Sequence, residues 1–228
     1  SLAFAIILKQ LNPGNKLMPK PYLLVLFYSR QGATKKLAQL IGRGIEDNDK
    51  FEARIRTVPP VSPDTEPSSP PVPEEGAIFC SQDDLRNCTG LAIGSPTRFG
   101  NMSAPLKYFI DCTGSIWASG DLINKPFVTF TSSNSLHGGQ ESTLLTMSIP
   151  MLHHGMIYCG IPFSEPSLNR TRTGGSPYGA THFTGLNDNS EIFKSLISPS
   201  SESIGEIMLI LFILSRLVKP PAIATISS

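Results

Sequence analysis

In the stretch YSRQGATKK a serine, a glycine and a threonine stand at Ser29, Gly32 and Thr34, behind an apolar run and ahead of a helical pattern. Gly32 allows a tight turn, and the free N–H groups and dipole of the first helical turn favour an anion. The stretch has neither the three glycines of a dinucleotide fingerprint nor the Gly-Lys-Ser/Thr of a P-loop. A single phosphomonoester held by neutral hydroxyls and amides fits it best. The same residues also suit an ordinary capped helix, which so short a motif does not exclude.

Two further loops carry the right residue types. GSPTRFGNMSAP (Gly94 to Pro105) follows the apolar GLAIG, and in it Pro96 stiffens a turn while Gly100 lets the backbone approach a flat ligand. TSSNSLHGGQE (Thr131 to Glu141) is rich in hydroxyls and holds a histidine and two glycines, which suit hydrogen bonding and close backbone contact. Other constellations carry less. Cys80 and Arg86 have the spacing of a phosphotyrosine phosphatase loop, but Asp83 and Asp84 between them would repel a phosphate dianion. His153 and His154 are adjacent, so on a helix they diverge by about 100° and do not make a helical metal pair. Trp117, Arg98 and Phe99, taken alone, read equally as core or surface residues.

The elements that must position these loops alternate along the chain. YLLVLFYS (Tyr22 to Ser29) reads as a strand buried on both faces, and the next segment places Leu37, Leu40, Ile41 and Ile45 on one helical face. Four more strands are expected at Phe51 to Val58, Gly90 to Ser95, Lys125 to Ser133 and Met156 to Ile161. Helices are expected at Ala104 to Cys112, Gln140 to His153 and Ser203 to Val218, with a short turn near Asp83 to Leu85. Alternation of this kind predicts an α/β fold with one parallel sheet covered on both faces, and ligands of such sheets bind outside the carboxyl ends of the strands. The seven prolines from Pro59 to Pro73 forbid a continuous helix and predict an extended surface connection.

Composition limits the function classes. A chain of 228 residues that is 40% hydrophobic can bury one sizeable core, so one domain is expected over residues 21–218, with a poorly ordered extension at 1–20 and a tail at 219–228. A net charge of +1 with no basic block points away from nucleic acid. The apolar runs at Leu2 to Leu8 and Ile207 to Ser215 are too short to span a bilayer, so no membrane insertion is expected. Cys80, Cys88, Cys112 and Cys159 are far apart without CxxC spacing, as suits reduced structural thiols in the cytoplasm and no metal site.

The segments PTRFGNMSAPLKYFIDCTGSIWASG, HGGQESTLL, LHHGM and GGSPYGATHFTG together resemble the WrbA family, the type IV NAD(P)H:quinone oxidoreductases, over roughly Pro21 to Gly185. Several long motifs in the right order are more specific than any one short pattern. The resemblance implies a flavodoxin-like fold with a five-stranded parallel sheet in the order 2-1-3-4-5, bound FMN, NADH or NADPH as donor, a quinone acceptor, and a homotetramer or dimer whose active sites combine residues of neighbouring subunits. It implies that Ser29, Arg30, Gln31, Gly32, Ala33 and Thr34 form the FMN phosphate loop. Pro96, Thr97, Arg98, Phe99, Gly100 and Asn101 then form the isoalloxazine-binding loop, and Ser132, Ser133, Asn134, Ser135, Leu136, His137 and Gly138 close over the other flavin edge. His153 matches a flavin-side histidine, Trp117 an aromatic wall for the quinone, and Gln31 a position near the nicotinamide where some members have tyrosine.

The resemblance also implies a two-step exchange in one place: the nicotinamide reduces the flavin by hydride transfer, leaves, and a quinone takes two electrons with protons. Backbone N–H groups between Thr97 and Asn101 are expected to face negative charge on the reduced ring, and His153 to hydrogen-bond or protonate a quinone oxygen. A flavin-binding sensor and a flavodoxin-type electron carrier are the alternatives; turnover with a quinone separates them from the enzyme.

Overall fold

The computed structural model describes residues 20–47, 50–61, 76–171 and 174–185. The expectations for all but the last residue of the extension at 1–20, for the helix at 203–218, for the tail at 219–228 and for most of the proline-rich connection fall outside the described residues. Strands β1 (Tyr22–Phe27), β2 (Glu52–Thr57), β3 (Gly90–Pro96), β4 (Pro126–Ser133), β5 (Ile157–Tyr158) and β6 (Ala180–Phe183) alternate with helices. The described helices are α1 (Ala33–Glu46), α2 (Gln82–Arg86), α3 (Ala104–Asp111), α4 (Gly114–Ser119), α5 (Gln140–His153) and α6 (Pro166–Arg170).

These strands pair in parallel, in the order β2-β1-β3-β4-β5, with β6 also on β4. The expected flavodoxin-like order is therefore present, with one elaboration. The fifth position is shared: β5 lies beside Pro126 and Phe127, and β6 beside Phe130 to Ser133. The run Met156 to Ile161 stays in the sheet only as far as Cys159, whose N–H bonds the Phe127 carbonyl; the Ile161 N–H instead bonds the carbonyl of Pro177. Pro162 has no N–H to continue a ladder, so the chain leaves the sheet, makes α6 and returns as β6.

Alternation along β1 builds two cores. Leu23, Val25 and Phe27 pack with Leu37, Ala38, Ile41 and Ile45 of α1 on one face. Tyr22, Leu24 and Leu26 pack on the other with Leu106, Ile110 and Ile116 of α3 and α4 and Leu144, Met147 and Met151 of α5. Burying each such side chain contributes roughly 1.5–3 kcal/mol, so both helical layers are held by sheet contacts more than by intrinsic helix propensity. The centre of the sheet is tight. A Cβ added at Gly94 in β3 would overlap the ring of the fully buried Phe130 in β4.

Candidate functional site

Three loops at the carboxyl ends of β1, β3 and β4 enclose a cavity of about 230 Å³. Beyond β1 the Ser29 hydroxyl accepts the N–H of Gly32 at 3.1 Å, and Gly32 takes φ 93° as it enters α1. No side chain caps that helix. The first-turn N–H groups of Ala33 and Thr34, both at the cavity wall, are therefore left for a ligand. Beneath them Thr34 and Ser132, only 1% and 4% exposed, share a hydrogen bond of 2.9 Å between their hydroxyls. Among the described residues, Arg30 and Arg98 bring the only charges to the wall, both positive. Uncapped amides, buried hydroxyls and two guanidinium groups make a cradle for a phosphate dianion.

The loop after β3 is a narrow turn. The N–H of Arg98 donates to the Asn101 carbonyl at 2.7 Å, and the Asn101 N–H returns a bond to the Arg98 carbonyl at 3.0 Å. Closing it places Phe99 at φ 52° and Gly100 at φ 76°, and Phe99 stands fully exposed at the tip. A positive φ on a phenylalanine is uncommon and marks a locally constrained site. The turn lies against the start of α5: a Cβ on Gly139 would come within 2.9 Å of the Gly100 Cα. The Thr143 hydroxyl donates to the Thr97 hydroxyl at 2.8 Å, locking the two loops together. The loop after β4 is set by Gln140 Nε2 donating to Ser133 Oγ at 2.6 Å and by Ser133 Oγ donating to the Ser135 carbonyl at 2.7 Å.

Ser29, Arg30, Gln31, Ala33, Thr34, Pro96, Thr97, Arg98, Ser132, Ser133, Asn134, Ser135 and Gly138 thus come together at one cavity. Gly32 shapes the first loop, Phe99 to Asn101 form the flanking turn, and Leu136 and His137 are exposed on the loop after β4. One wall residue is not apparent from the sequence. Thr184, just past β6, donates its N–H and hydroxyl to the Ser133 carbonyl at 2.9 and 3.1 Å, and the hydroxyl also bonds Asn134 Oδ1. Its only signal is the short motif GGSPYGATHFTG.

The expected donors of the β3 loop need correcting. The N–H groups of Arg98 and Asn101 bond each other's carbonyls, and that of Thr97 bonds the Ser132 carbonyl at 2.9 Å. Only Phe99 and Gly100 keep N–H groups without a partner among the described residues.

A sequence model of the family described as NADPH-dependent FMN reductase matches residues 23–164. The chain belongs to this family. It is 39% identical to a protein named NAD(P)H dehydrogenase (quinone) from Syntrophobacter fumaroxidans, over 72% of this chain and 83% of that protein. A protein of the same name from Geobacter sulfurreducens is 37% identical over 72% and 84%. These relatives bear out the family read from the motifs. The fold matches the crystal structure of a flavodoxin, WrbA-like protein from Agrobacterium tumefaciens with a TM-score of 0.56, at 20% identity, over 87% of this chain and 99% of that one.

Within this family member, His153 and Trp117 do not join the cavity. Helix α5 starts at the cavity end of the sheet and runs 14 residues back to the amino ends of the strands. At 1.5 Å per residue this separates His153 from the start of the helix by about 20 Å. The two residues do meet each other: the Trp117 indole N–H donates to the His153 carbonyl at 3.0 Å, and both side chains are exposed. Of the histidine pair, His153 faces out and His154 is buried. The phosphatase spacing is absorbed into structure. Ser81 and Asp84 form a capping box at α2, Arg86 pairs with Asp83 and Asp121, and burial together with the Asp84 carboxylate pushes the Cys80 thiol up, away from a nucleophile's range.

Proposed function

We propose that the chain is an FMN-dependent NAD(P)H:quinone oxidoreductase that reduces quinones by two electrons. The observation that carries this reading is the phosphate cradle, Thr34 and Ser132 beneath the uncapped start of α1 with Arg30 and Arg98 at its wall, opening onto the turn at Arg98–Asn101. Such a cradle fits the phosphomonoester of FMN, and the two loops beyond it fit the edges of a flat ring. Bound FMN supplies hydride acceptance from a nicotinamide and two-electron delivery to a quinone.

The residues do the rest. Thr34, Ser132 and the first-turn amides of α1 hold the phosphate, with Arg30 at the wall adding charge. The turn Arg98–Asn101 and the loop Ser133–Gly138 orient the ring, with the free N–H groups of Phe99 and Gly100 as its backbone donors. Gln31 lies at the cavity wall, where it can touch the nicotinamide.

Trp117 and His153 act, in this reading, at the cavity of a neighbouring subunit. Three observations support it: their distance from their own cavity, the 60% exposure of Trp117, and the exposed leucine and isoleucine side chains of Leu145, Ile149 and Leu152 along α5. Residues spaced i, i+4 and i+7 form one apolar stripe on a helix, and an uncovered stripe suits a subunit contact. A homotetramer, or a dimer, would place the indole where a quinone can stack and His153 where it can hydrogen-bond a quinone oxygen. The four free thiols fit a reducing compartment such as the cytoplasm. Titrating the purified chain with FMN, bleaching the bound flavin with anaerobic NADH or NADPH, and adding benzoquinone tests the whole. Failure to take up FMN, or bound flavin that the nicotinamide does not bleach, sinks the proposal; flavin that bleaches but does not turn over with quinone points to a sensor or carrier.

A further inference from the structure

Around Trp117 the hydrogen bonds close into a ring. The Trp117 backbone N–H donates to the Thr113 carbonyl at 3.1 Å as α4 begins, and its indole N–H donates to the His153 carbonyl at 3.0 Å. The next residue, His154, is 7% exposed and meets the 2%-exposed Thr113 hydroxyl through Nε2 at 2.9 Å. The Thr113 hydroxyl gives its own proton to the Ile110 carbonyl at 2.6 Å. It can then only accept from the imidazole, which makes Nε2 of His154 the protonated, donating nitrogen. Its Nδ1 is buried with no partner among the described residues.

That last point is unusual. A buried ring nitrogen without a partner costs stability, and an apolar side chain of similar size would fill the space without the cost. The cost is offset only if the Nε2–H bond is worth having. An exposed indole on a helix of six residues would otherwise swing about its side-chain torsions. Its indole bond holds it to the end of α5, but that anchor is firm only while the end of α5 is fixed to the start of α4. The Thr113–His154 bond makes that connection, and through Ile110 ties in the last turn of α3 as well.

We propose that His154 and Thr113 are positioning residues for Trp117, a latch that holds the indole at one angle for the flat acceptor. This rests on the reading that Trp117 forms a wall of the quinone site. Neither side chain is placed at the flavin cavity, so both act through Trp117.

Trp117 is the chain's only tryptophan, so labelling with 5-fluorotryptophan gives one fluorine resonance that reports on it alone. In the FMN-loaded protein, Thr113→Val, which keeps shape and loses the hydroxyl, moves that line toward the position of solvent-exposed indole, and Thr113→Ser restores it. Losing one such hydrogen bond raises the KM for benzoquinone about tenfold, while the FMN Kd and the rate of flavin reduction by NADH stay within about twofold. His154→Leu shifts the line in the same way. A wild-type fluorine line in both Thr113→Val and His154→Leu that still bind FMN overturns the latch. A line that moves while the quinone KM does not upholds the latch and removes Trp117 from the quinone site. A uniform loss of FMN affinity and turnover that Thr113→Ser fails to restore overturns the positioning role, since general destabilisation would then account for it.

Discussion

Replacing Thr34 by valine removes one oxygen from the cradle and leaves the shape of the side chain almost unchanged. In the structure that oxygen is fully enclosed, 2.9 Å from the Ser132 hydroxyl, and both lie under the uncapped first turn of α1. With FMN bound, both hydroxyls can turn toward the phosphate oxygens, and a hydrogen bond to a charged group contributes about 1.5–3 kcal/mol. At 1.4 kcal/mol per factor of ten, Thr34→Val weakens FMN binding roughly tenfold to a hundredfold. Riboflavin has the same ring and no phosphate, so its affinity for the variant stays within about twofold of wild type, a difference small beside the cost of a lost charged hydrogen bond. Quenching of flavin fluorescence, titrated with each ligand in turn, reads both constants. Equal weakening of FMN and riboflavin would refute the reasoning, because the hydroxyl would then be supporting the fold of the loop and not the phosphate.

The remaining expectations test the fold, the histidine core and the shared site. In β3, Gly94→Ala drives a methyl group into the Phe130 ring; overpacking of this kind costs about 1–3 kcal/mol, and a Tm unchanged from wild type would contradict the tight packing of β3 on β4. Burial, and then the nearby His153, hold His154 below its ordinary value of 6.5. The unfolded chain therefore takes up a proton there before the folded one does, and the contribution to stability, complete above about pH 6.5, is lost as pH falls toward the folded value. Urea midpoints at pH 7.5 and about pH 5.5 should show a fall that His154→Gln reduces, and an equal fall in both proteins would count against it. If Trp117 serves a neighbour's cavity, as proposed, Trp117→Ala and Thr34→Val damage different subunits' contributions to one site, and co-expressed, mixed oligomers should regain part of the quinone turnover that each lacks alone. Activity no greater than the sum of the two separate proteins would mean that Trp117 does not serve a neighbour's cavity.

How legible each element is in the sequence depends on what holds it in place. Strands β1, β3 and β4 are buried on both faces, so β1 and the first half of β3 appear as apolar runs, while β4, PFVTFTSS, mixes apolar residues with buried hydroxyls; the loops after all three line the candidate site. By contrast β6 is four residues, Ala-Thr-His-Phe, with Thr181 and His182 buried as polar groups; it is a strand only because β4 offers an open edge there. Thr184 is hidden for the same reason, since its place beside Ser133 exists only once β6 has paired. Helix α4, GSIWAS, begins with glycine and is too short to show a period, so its position comes from Thr113 and the contact between Trp117 and His153, 36 residues apart.

The location of His153 is dictated by topology alone, without any side-chain detail. In a parallel sheet each crossover helix must carry the chain from the carboxyl edge back to the amino edge. A helix running from Gln140 to His153 after β4 starts beside the loops that line the cavity and ends at the opposite rim. No rotation of the His153 side chain recovers a distance of about 20 Å, set by 1.5 Å for each residue of helix. A histidine expected beside the flavin, on this helix and in this fold, can therefore reach a flavin only across a subunit boundary. That makes the surface carrying Leu145, Ile149 and Leu152 a requirement of the proposed chemistry: substitutions such as Ile149→Glu that keep the chain monomeric should leave FMN bound and reducible by NADH while quinone turnover collapses, and a fully active monomer would end the proposal of a shared site.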